Sequence, residues 1–473
     1  MITMRGLLTV LGVGGALLVA AGDAAQAQTF NSGSTGADGA FTPASNVTLT
    51  VPPSGIFHFT TVTIPAGVTV TFARNAANTP VILLASGDVT IAGTLDLIGA
   101  PGGAGAFATL LAPNGGLGGP GGFAGGAGAS GIVSTTAGTG VGPGGGIGGT
   151  AANAGGGGGG FQTAGAAGAG GTAGGGGTTY GTAALLPIVG GSGGGGGGAA
   201  FGNTGWGGGG GGGALVIASS GTLTFSGTIL ARGGAGGSFG FNTFGPGASG
   251  GGSGGAVRLV ATTLAGSGGT IDVRGGAGGP GTGFSAGGAG GVGRVRLEAF
   301  TTTVSVNFQG VTPSQGLPNS AVLPNAPILR IASIAGVPAP AAPTGSLASP
   351  DVTLPAGTPN PVSVVLEGAN IPPGTTVTVR VQGQVGSVSS TTVTLTGTAA
   401  ATTAPASLVI PTDQPSVLTA SASFILLAGV GGGPVFVQGE AVERVRVTAG
   451  WGAASQVAYI TKSGREIVLG AGR

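Results

Sequence analysis

Two carboxylates and two guanidiniums recur at equivalent positions of this chain. Asp96 closes Thr94-Leu95-Asp96 and Asp272 closes Thr270-Ile271-Asp272, while Arg232 and Arg274 each stand just ahead of a Gly-Gly-Ala-Gly-Gly run. Leu230 takes the intervening carboxylate position. In stacked strands the two acids would therefore lie two steps, about 10 Å, apart, at the outer limit for paired-acid glycoside chemistry. Solvent-facing polar positions are the simpler account of the acids, and strand-end caps beside glycine turns the simpler account of the arginines. The alternative is ligand contact, with the guanidiniums meeting acidic sugars. Asp96, Asp272, Arg232 and Arg274 are thus the candidate ligand contacts.

Most other chemistry is excluded by composition. The 473 residues include no cysteine, one histidine (His58) and one lysine (Lys462). A cysteine zinc cluster, a disulfide framework and a thiol nucleophile are impossible. A Ser-His-Asp site could form only around His58, whose alternation with Phe57 and Phe59 points it outward or to a coil edge. Gly190-Gly191-Ser192-Gly193-Gly194 and Gly251-Gly252-Ser253-Gly254-Gly255 fit a nucleophile-elbow pattern, but neither sits between a strand and a helix. The G-x-G-x-x-G matches lack a following helix and an acidic residue, and no phosphate-binding loop precedes Lys462. Asp38 lacks the second acidic ligand that a calcium loop needs. No catalytic residue, cofactor or metal is expected. With 14 basic against 12 acidic residues, nucleic-acid binding through phosphate neutralisation has no support either.

The elements that would position these residues repeat. Gly213-Ala214-Leu215-Val216-Ile217-Ala218 aligns with Gly255-Ala256-Val257-Arg258-Leu259-Val260 and with Gly293-Arg294-Val295-Arg296-Leu297-Glu298. Val216, Arg258 and Arg296 interchange between aliphatic flanks, the mark of a strand with one buried face. A second strand follows each, as in Thr228-Ile229-Leu230 and Thr270-Ile271-Asp272, with an earlier copy at Thr94-Leu95-Asp96. One such two-strand unit cannot bury its apolar face, whereas stacked units share a continuous core. The expected fold is all-β: a parallel β-helix of roughly six coils with long glycine-rich excursions, followed by a β-sandwich. Sandwiched hairpins explain the alternation but not the recurrence of whole units in one order.

Glycine supplies 114 residues, against a usual share of about 7%. Of these, 81 fall within 101–300, in excursions over about 99–212, 233–254 and 275–292 that start at equivalent points of the repeat. No charged residue lies between Asp96 and Arg232, which is unlike a solvated linker. In Gly115-Gly116-Leu117-Gly118-Gly119-Pro120-Gly121-Gly122-Phe123 a three-residue helix would place Leu117, Pro120 and Phe123 on one edge, leaving bare backbone to pack laterally as in polyglycine II. Glycine is costly to order. The segment is therefore either a bundle with nearly every amide paired or largely disordered.

The ends differ in composition. Arg5, the apolar run Leu7–Ala21 and Ala25-Gln26-Ala27 read as a cleaved secretory signal over 1–27, and no later segment is apolar enough to span a bilayer. After Asn325, proline, threonine and valine rise. Val337-Pro338-Ala339-Pro340-Ala341-Ala342-Pro343 reads as a stiff linker or an edge connection. Evenly spaced strand candidates, including 362–366, 376–381, 392–395, 407–410, 421–426 and 441–447, suggest a seven-strand sandwich. The expected organisation is a signal peptide (1–27), first coils (28–98), a glycine-rich excursion (99–212), further coils (213–325), an immunoglobulin-like sandwich (326–449) and a tail (450–473).

Val62-Thr63-Ile64-Pro65-Ala66-Gly67-Val68-Thr69-Val70 and Val89-Thr90-Ile91-Ala92-Gly93-Thr94-Leu95 give residues 30–310 a resemblance to secreted bacterial β-helix surface proteins of the adhesin and autotransporter-passenger kind. The C-terminus departs from that pattern, without a series of membrane-barrel strands, which argues against self-translocation. The glycine-rich region is similar in composition to that of mycobacterial surface proteins, and the C-terminal region resembles bacterial immunoglobulin-like modules. The resemblance implies a non-enzymatic structural or adhesive protein, secreted to the exterior, the cell surface or the periplasm. Its partner would be a surface or matrix polysaccharide or protein, or further copies of itself. A polysaccharide-binding or polysaccharide-cleaving protein is the alternative.

Overall fold

The computed structural model describes residues 28–104, 112–130, 135–200, 203–237, 246–281, 285–321, 327–340, 343, 350–384, 388–425, 435–449 and 455–468. The expected secretory leader over 1–27 lies outside them. Among the described residues the fold is all-β, with no helix, so no helix is long and apolar enough to cross a membrane.

The N-terminal strands are β1 (Val47–Thr50), β2 (Ile56–Phe59), β3 (Val62–Ile64), β4 (Thr69–Ala73), β5 (Val81–Ala85), β6 (Val89–Ile91) and β7 (Thr94–Asp96). Beyond the long glycine-rich segment come β8 (Ala214–Phe225), β9 (Thr228–Leu230), β10 (Ala256–Ala265), β11 (Ser267–Asp272), β12 (Arg294–Thr302), β13 (Ser305–Gln309) and β14 (Ser314–Gly316). Two parallel sheets result. One runs β1-β4-β7-β9-β11-β13; the other runs β14-β12-β10-β8-β5-β2, with β3 and β6 on the far half of β8. Inward rows such as Val47, Val70, Leu95, Ile229, Ile271 and Phe308 stack in register across the first sheet. They share one apolar core with Leu83, Ile217, Leu259 and Leu297 of the second.

The repeat read from the sequence is a register in space. Ala256 pairs with Ala214 and with Arg294, and Arg258 with Val216 and Arg296. The reading of one buried face requires correction, however. The outward side of β5, β8 and β10 is also covered, by an apolar cluster of Phe30, Leu84, Val216, Ala218, Val260, Ala321 and Phe436. Strands buried on both faces read as near-continuous apolar runs, as Val81-Ile82-Leu83-Leu84-Ala85 does. Residues 30–34 cross the strands as a strap. Phe30 N donates to Thr262 Oγ1, Ser32 Oγ to Ala85 O and Ser34 Oγ to Phe59 O.

The glycine segments leave the first sheet in register, with Gly99 N donating to Arg232 O and Gly233 N to Arg274 O. Their described parts are densely bonded. Along 247–255, successive amides address three neighbours in rotation. Those of Gly247, Gly250 and Ser253 donate to Gly198, Gly195 and Ser192; those of Ala248, Gly251 and Gly254 to Ser285, Gly288 and Gly291; those of Ser249, Gly252 and Gly255 to Gly237, Gly234 and Ala231. Every bond measures 2.7–3.0 Å. Carbonyls of the same run accept from Gly156, Gly159, Gly209, Gly212, Gly276 and Gly279, so three further segments bond to it. A period of three with lateral bonding to all sides satisfies the backbone without a sheet. The expected shared edge of Leu117, Pro120 and Phe123 is not formed. Gly122 N donates to Gly119 O in a turn, with Gly121 at φ 76°, and this leaves Leu117 62% exposed while Pro120 is buried. Proline followed by a left-handed glycine is the local reason.

The C-terminal strands are β15 (Ile328–Ile334), β16 (Val337–Pro338), β17 (Val362–Ala369), β18 (Thr376–Gly383), β19 (Ser389–Thr394), β20 (Thr396–Thr398), β21 (Ala401–Leu408), β22 (Ser416–Ile425), β23 (Phe436–Val437), β24 (Glu440–Ala449), β25 (Gln456–Thr461) and β26 (Glu466–Val468). They form antiparallel sheets, β16-β15-β17-β21-β20 and β19-β18-β22-β24-β25-β26, around one apolar core. Strands exceed the seven expected. Val337–Pro338 is an edge strand rather than a linker, as suits proline. Residues 450–473, expected as a tail, supply β25 and β26, in which Tyr459 and Ile467 are buried.

Close approach makes glycine obligatory in the bonded interior. A Cβ on Gly250 would stand 1.9 Å from the carbonyl oxygen of Gly157, whereas one on the exposed Gly171 meets nothing within 4 Å. Gly250→Ala is expected to destabilise by about 3 kcal/mol or more, the upper range for overpacking. Gly171→Ala should be near neutral, and thermal unfolding of the two variants checks the contrast.

Candidate functional site

The four candidate residues lie along the outward side of the first parallel sheet. Asp96 pairs with Leu230 and Leu230 with Asp272, so the two acids are two ladder steps, about 10 Å, apart. Each makes the same local turn: Asp96 Oδ1 accepts from Ile98 N at 3.0 Å and Asp272 Oδ1 from Arg274 N at 3.1 Å. A carboxylate that ends a strand two residues before the chain turns outward favours this local bond.

Beyond that the acids part ways. Arg274 grips Asp272 in a fork, Nε to Oδ1 at 3.0 Å and NH2 to Oδ2 at 2.7 Å, while Arg232 Nε stands 3.7 Å from Oδ2. Asp272 is 4% exposed, and burial alone would raise its pKa. Hydrogen bonds from Arg274 and the charges of Arg274 and Arg232 outweigh burial and hold the carboxyl below the usual range. Arg274 is raised in return, first by its hydrogen bond to Asp272 and then by that charge. Asp272, Arg274 and Arg232 thus form one ion cluster, and Asp96 stands apart from it. The arginine side chains remain 42% and 51% exposed. A buried carboxylate with both oxygens held is poorly placed for proton transfer at neutral pH, whereas two exposed guanidiniums can still meet a polar or anionic ligand.

Beside the cluster runs a row that was not singled out from the sequence. Thr69, Thr94, Thr228, Thr270 and Asn307 stack in register on the same outward side. Thr48 and Thr71 of the adjoining row share a hydroxyl hydrogen bond of 2.7 Å. The signal was present as Thr-x-Asp and Thr-x-Thr triplets, each unremarkable alone and informative only once aligned.

The remaining sequence candidates occupy structural roles. Ser192 and Ser253, from the two elbow-like motifs, come together: Ser192 N donates to Ser253 Oγ at 2.8 Å, and Ser192 Oγ to the Tyr180 hydroxyl at 3.1 Å. Both serines are fully buried. Burial is also the main reason that the Tyr180 hydroxyl is pushed up to about 12. His58 is half-buried on β2, its Nδ1 accepting from Thr35 N and its own backbone N donating to Asp38 Oδ2. Among the described residues no three metal-ligating side chains gather. Comparison with known protein families, curated proteins and solved structures found no match to this chain.

An acid with a lower pKa folded than unfolded adds stability above its unfolded value, and that stability fades as pH falls through the folded one. Asp272→Asn should therefore lower the urea midpoint at pH 7. The gap between variant and wild type should close on acidification below about 4, the ordinary carboxylate value. Urea titrations at neutral and acid pH test this.

Proposed function

We propose that this chain is a non-enzymatic structural or adhesive protein of the cell surface or extracellular matrix. Its parallel sheets are read as a parallel β-helix, its glycine segments as a polyglycine II bundle extending the coils, and its antiparallel sheets as an immunoglobulin-like sandwich. The observation that carries the reading is the three-way amide bonding along 247–255. That arrangement yields a rigid body from backbone alone, with little side-chain chemistry to offer a substrate. The outward threonine row adds a repeating polar surface on which many weak contacts can sum. The leader read over 1–27 and the resemblance to adhesin-type β-helices point to the exterior.

Exposed Arg232 and Arg274 beside a polar row favour, as a second reading, binding of a polysaccharide along the same face.

Fractionation with surface protease shaving of the native cell tests the location. The protein should be released or trimmed from intact cells, and confinement to the cytosol would sink the proposal. On a polysaccharide panel binding without turnover is expected; turnover abolished by Asp272→Asn would replace it with the enzymatic alternative.

A further inference from the structure

Among the described residues, the most deeply buried charges take no part in that outward face. Arg258 and Glu298 are both 0% exposed. They stand on neighbouring strands on the outward side of the second parallel sheet, joined by Arg258 NH2 to Glu298 Oε2 at 2.8 Å. Arg296 Nε donates to Glu298 Oε1 at 3.0 Å. The remaining capacity of the pair is spent on one short segment, 317–321. Arg258 NH2 donates to Asn319 O at 2.9 Å and NH1 to the carbonyls of Ser320 and Ala321, while Glu298 Oε2 accepts from Asn319 N at 2.8 Å.

That segment is in turn bonded to the hairpin of β23 and β24. Ser320 N donates to Phe436 O, Phe436 N to Ser320 Oγ, Gln438 N to Asn319 Oδ1 and Gly439 N to Pro318 O, all at 2.7–2.8 Å. Side chains alternate accordingly. Val435 and Val437 enter the core of the C-terminal sheets, whereas Phe436 enters the cluster on the parallel sheet and meets the Phe30 ring edge-on at 5.6 Å. The hairpin belongs to both cores.

We propose that the Arg258–Glu298 pair is a latch that holds segment 317–321 in the shape that receives this hairpin, giving the C-terminal sheets a docked and a released state. A buried pair fits this task because its directional bonds accept one backbone arrangement, and apolar side chains of the same volume would lack that selectivity. The apolar contacts of Phe436 supply attraction; the latch supplies position. Release would turn a fixed arm into a tethered one without unfolding the parallel sheets.

The absence of cysteine makes the test clean. Spin labels on Thr50→Cys and Thr398→Cys, both exposed, report the distance between the two bodies by pulsed dipolar spectroscopy. Amide exchange is followed in 435–441 and, as a fold control, in 215–217. Wild type should give one narrow distance distribution. Arg258→Met leaves Glu298 with Arg296 as its remaining cationic partner, and the double variant Arg258→Met/Glu298→Leu removes both charges of the latch while preserving bulk. Each should broaden the distribution and speed exchange in 435–441 on the order of a hundredfold, with 215–217 still protected. If Arg258→Met also exposes 215–217, the double variant decides. A narrow distribution in the double variant, or a broad one in wild type, overturns the latch.

Discussion

Every buried backbone amide must find a partner, and a segment such as 247–255 has almost no side chain with which to do anything else. The structure meets that demand by letting chains approach until only hydrogen atoms separate them. A single Cβ at Gly250 would sit inside bonding distance of a neighbouring carbonyl. Glycine is thus required twice over: to adopt the extended three-residue turn and to leave room for the chain that bonds to it. Its high conformational entropy when unfolded opposes this order, and the density of lateral bonds offsets it. Serine is the interior's main concession to polarity, with Ser192, Ser249 and Ser253 directing hydroxyls at backbone groups.

The same constraint explains how the glycine region joins the strands. A parallel ladder and the glycine lattice both pair each chain with the one stacked on it, so the pairing of Asp96 with Leu230 and Leu230 with Asp272 continues as Gly99 to Arg232 and Gly233 to Arg274. What changes at that corner is the period, from two to three. A sheet bonds sideways only, whereas the lattice bonds all round. It therefore needs additional chains, which the long segment between β7 and β8 provides.

Much of this was legible in the chain. The one-to-one alignment of 214–218 with 256–260 and 294–298 is a spatial register, and the equivalent starting points of the glycine runs are a shared corner. Two things were hidden. Arg258 and Arg296, at a position shared with Val216, look like solvent-side residues, because alternation reveals that one face is buried but says nothing of what covers the other. The covering groups, Phe30, Ala321 and Phe436, come from both ends of the chain. The edge shared by Leu117, Pro120 and Phe123 failed for the opposite reason: three-residue spacing persisted through a turn that Pro120-Gly121 signals locally. At the candidate site, sequence located both acids on one ladder. It could not show that Asp272 is sequestered by Arg274 while Asp96 is not, since that depends on which guanidinium folds back.

Scarcity of charge then acquires a physical sense. A close-packed amide lattice has no place for an ionised group, whose burial is tolerated only with a full set of partners. The described charges of the parallel-sheet region lie outside the lattice interior, and Arg258 and Glu298 are buried only because they are fully engaged by each other, by Arg296 and by the backbone of 319–321. The exposed surface left over is sparsely charged and regular, with the threonine row beside Arg232 and Arg274. A surface whose backbone is bonded in advance loses little freedom when something binds to it, so weak contacts to threonine hydroxyls can accumulate without the ordering cost that a flexible glycine-rich chain would incur. Rigidity built from glycine is what would let so plain a surface serve the adhesive role proposed above.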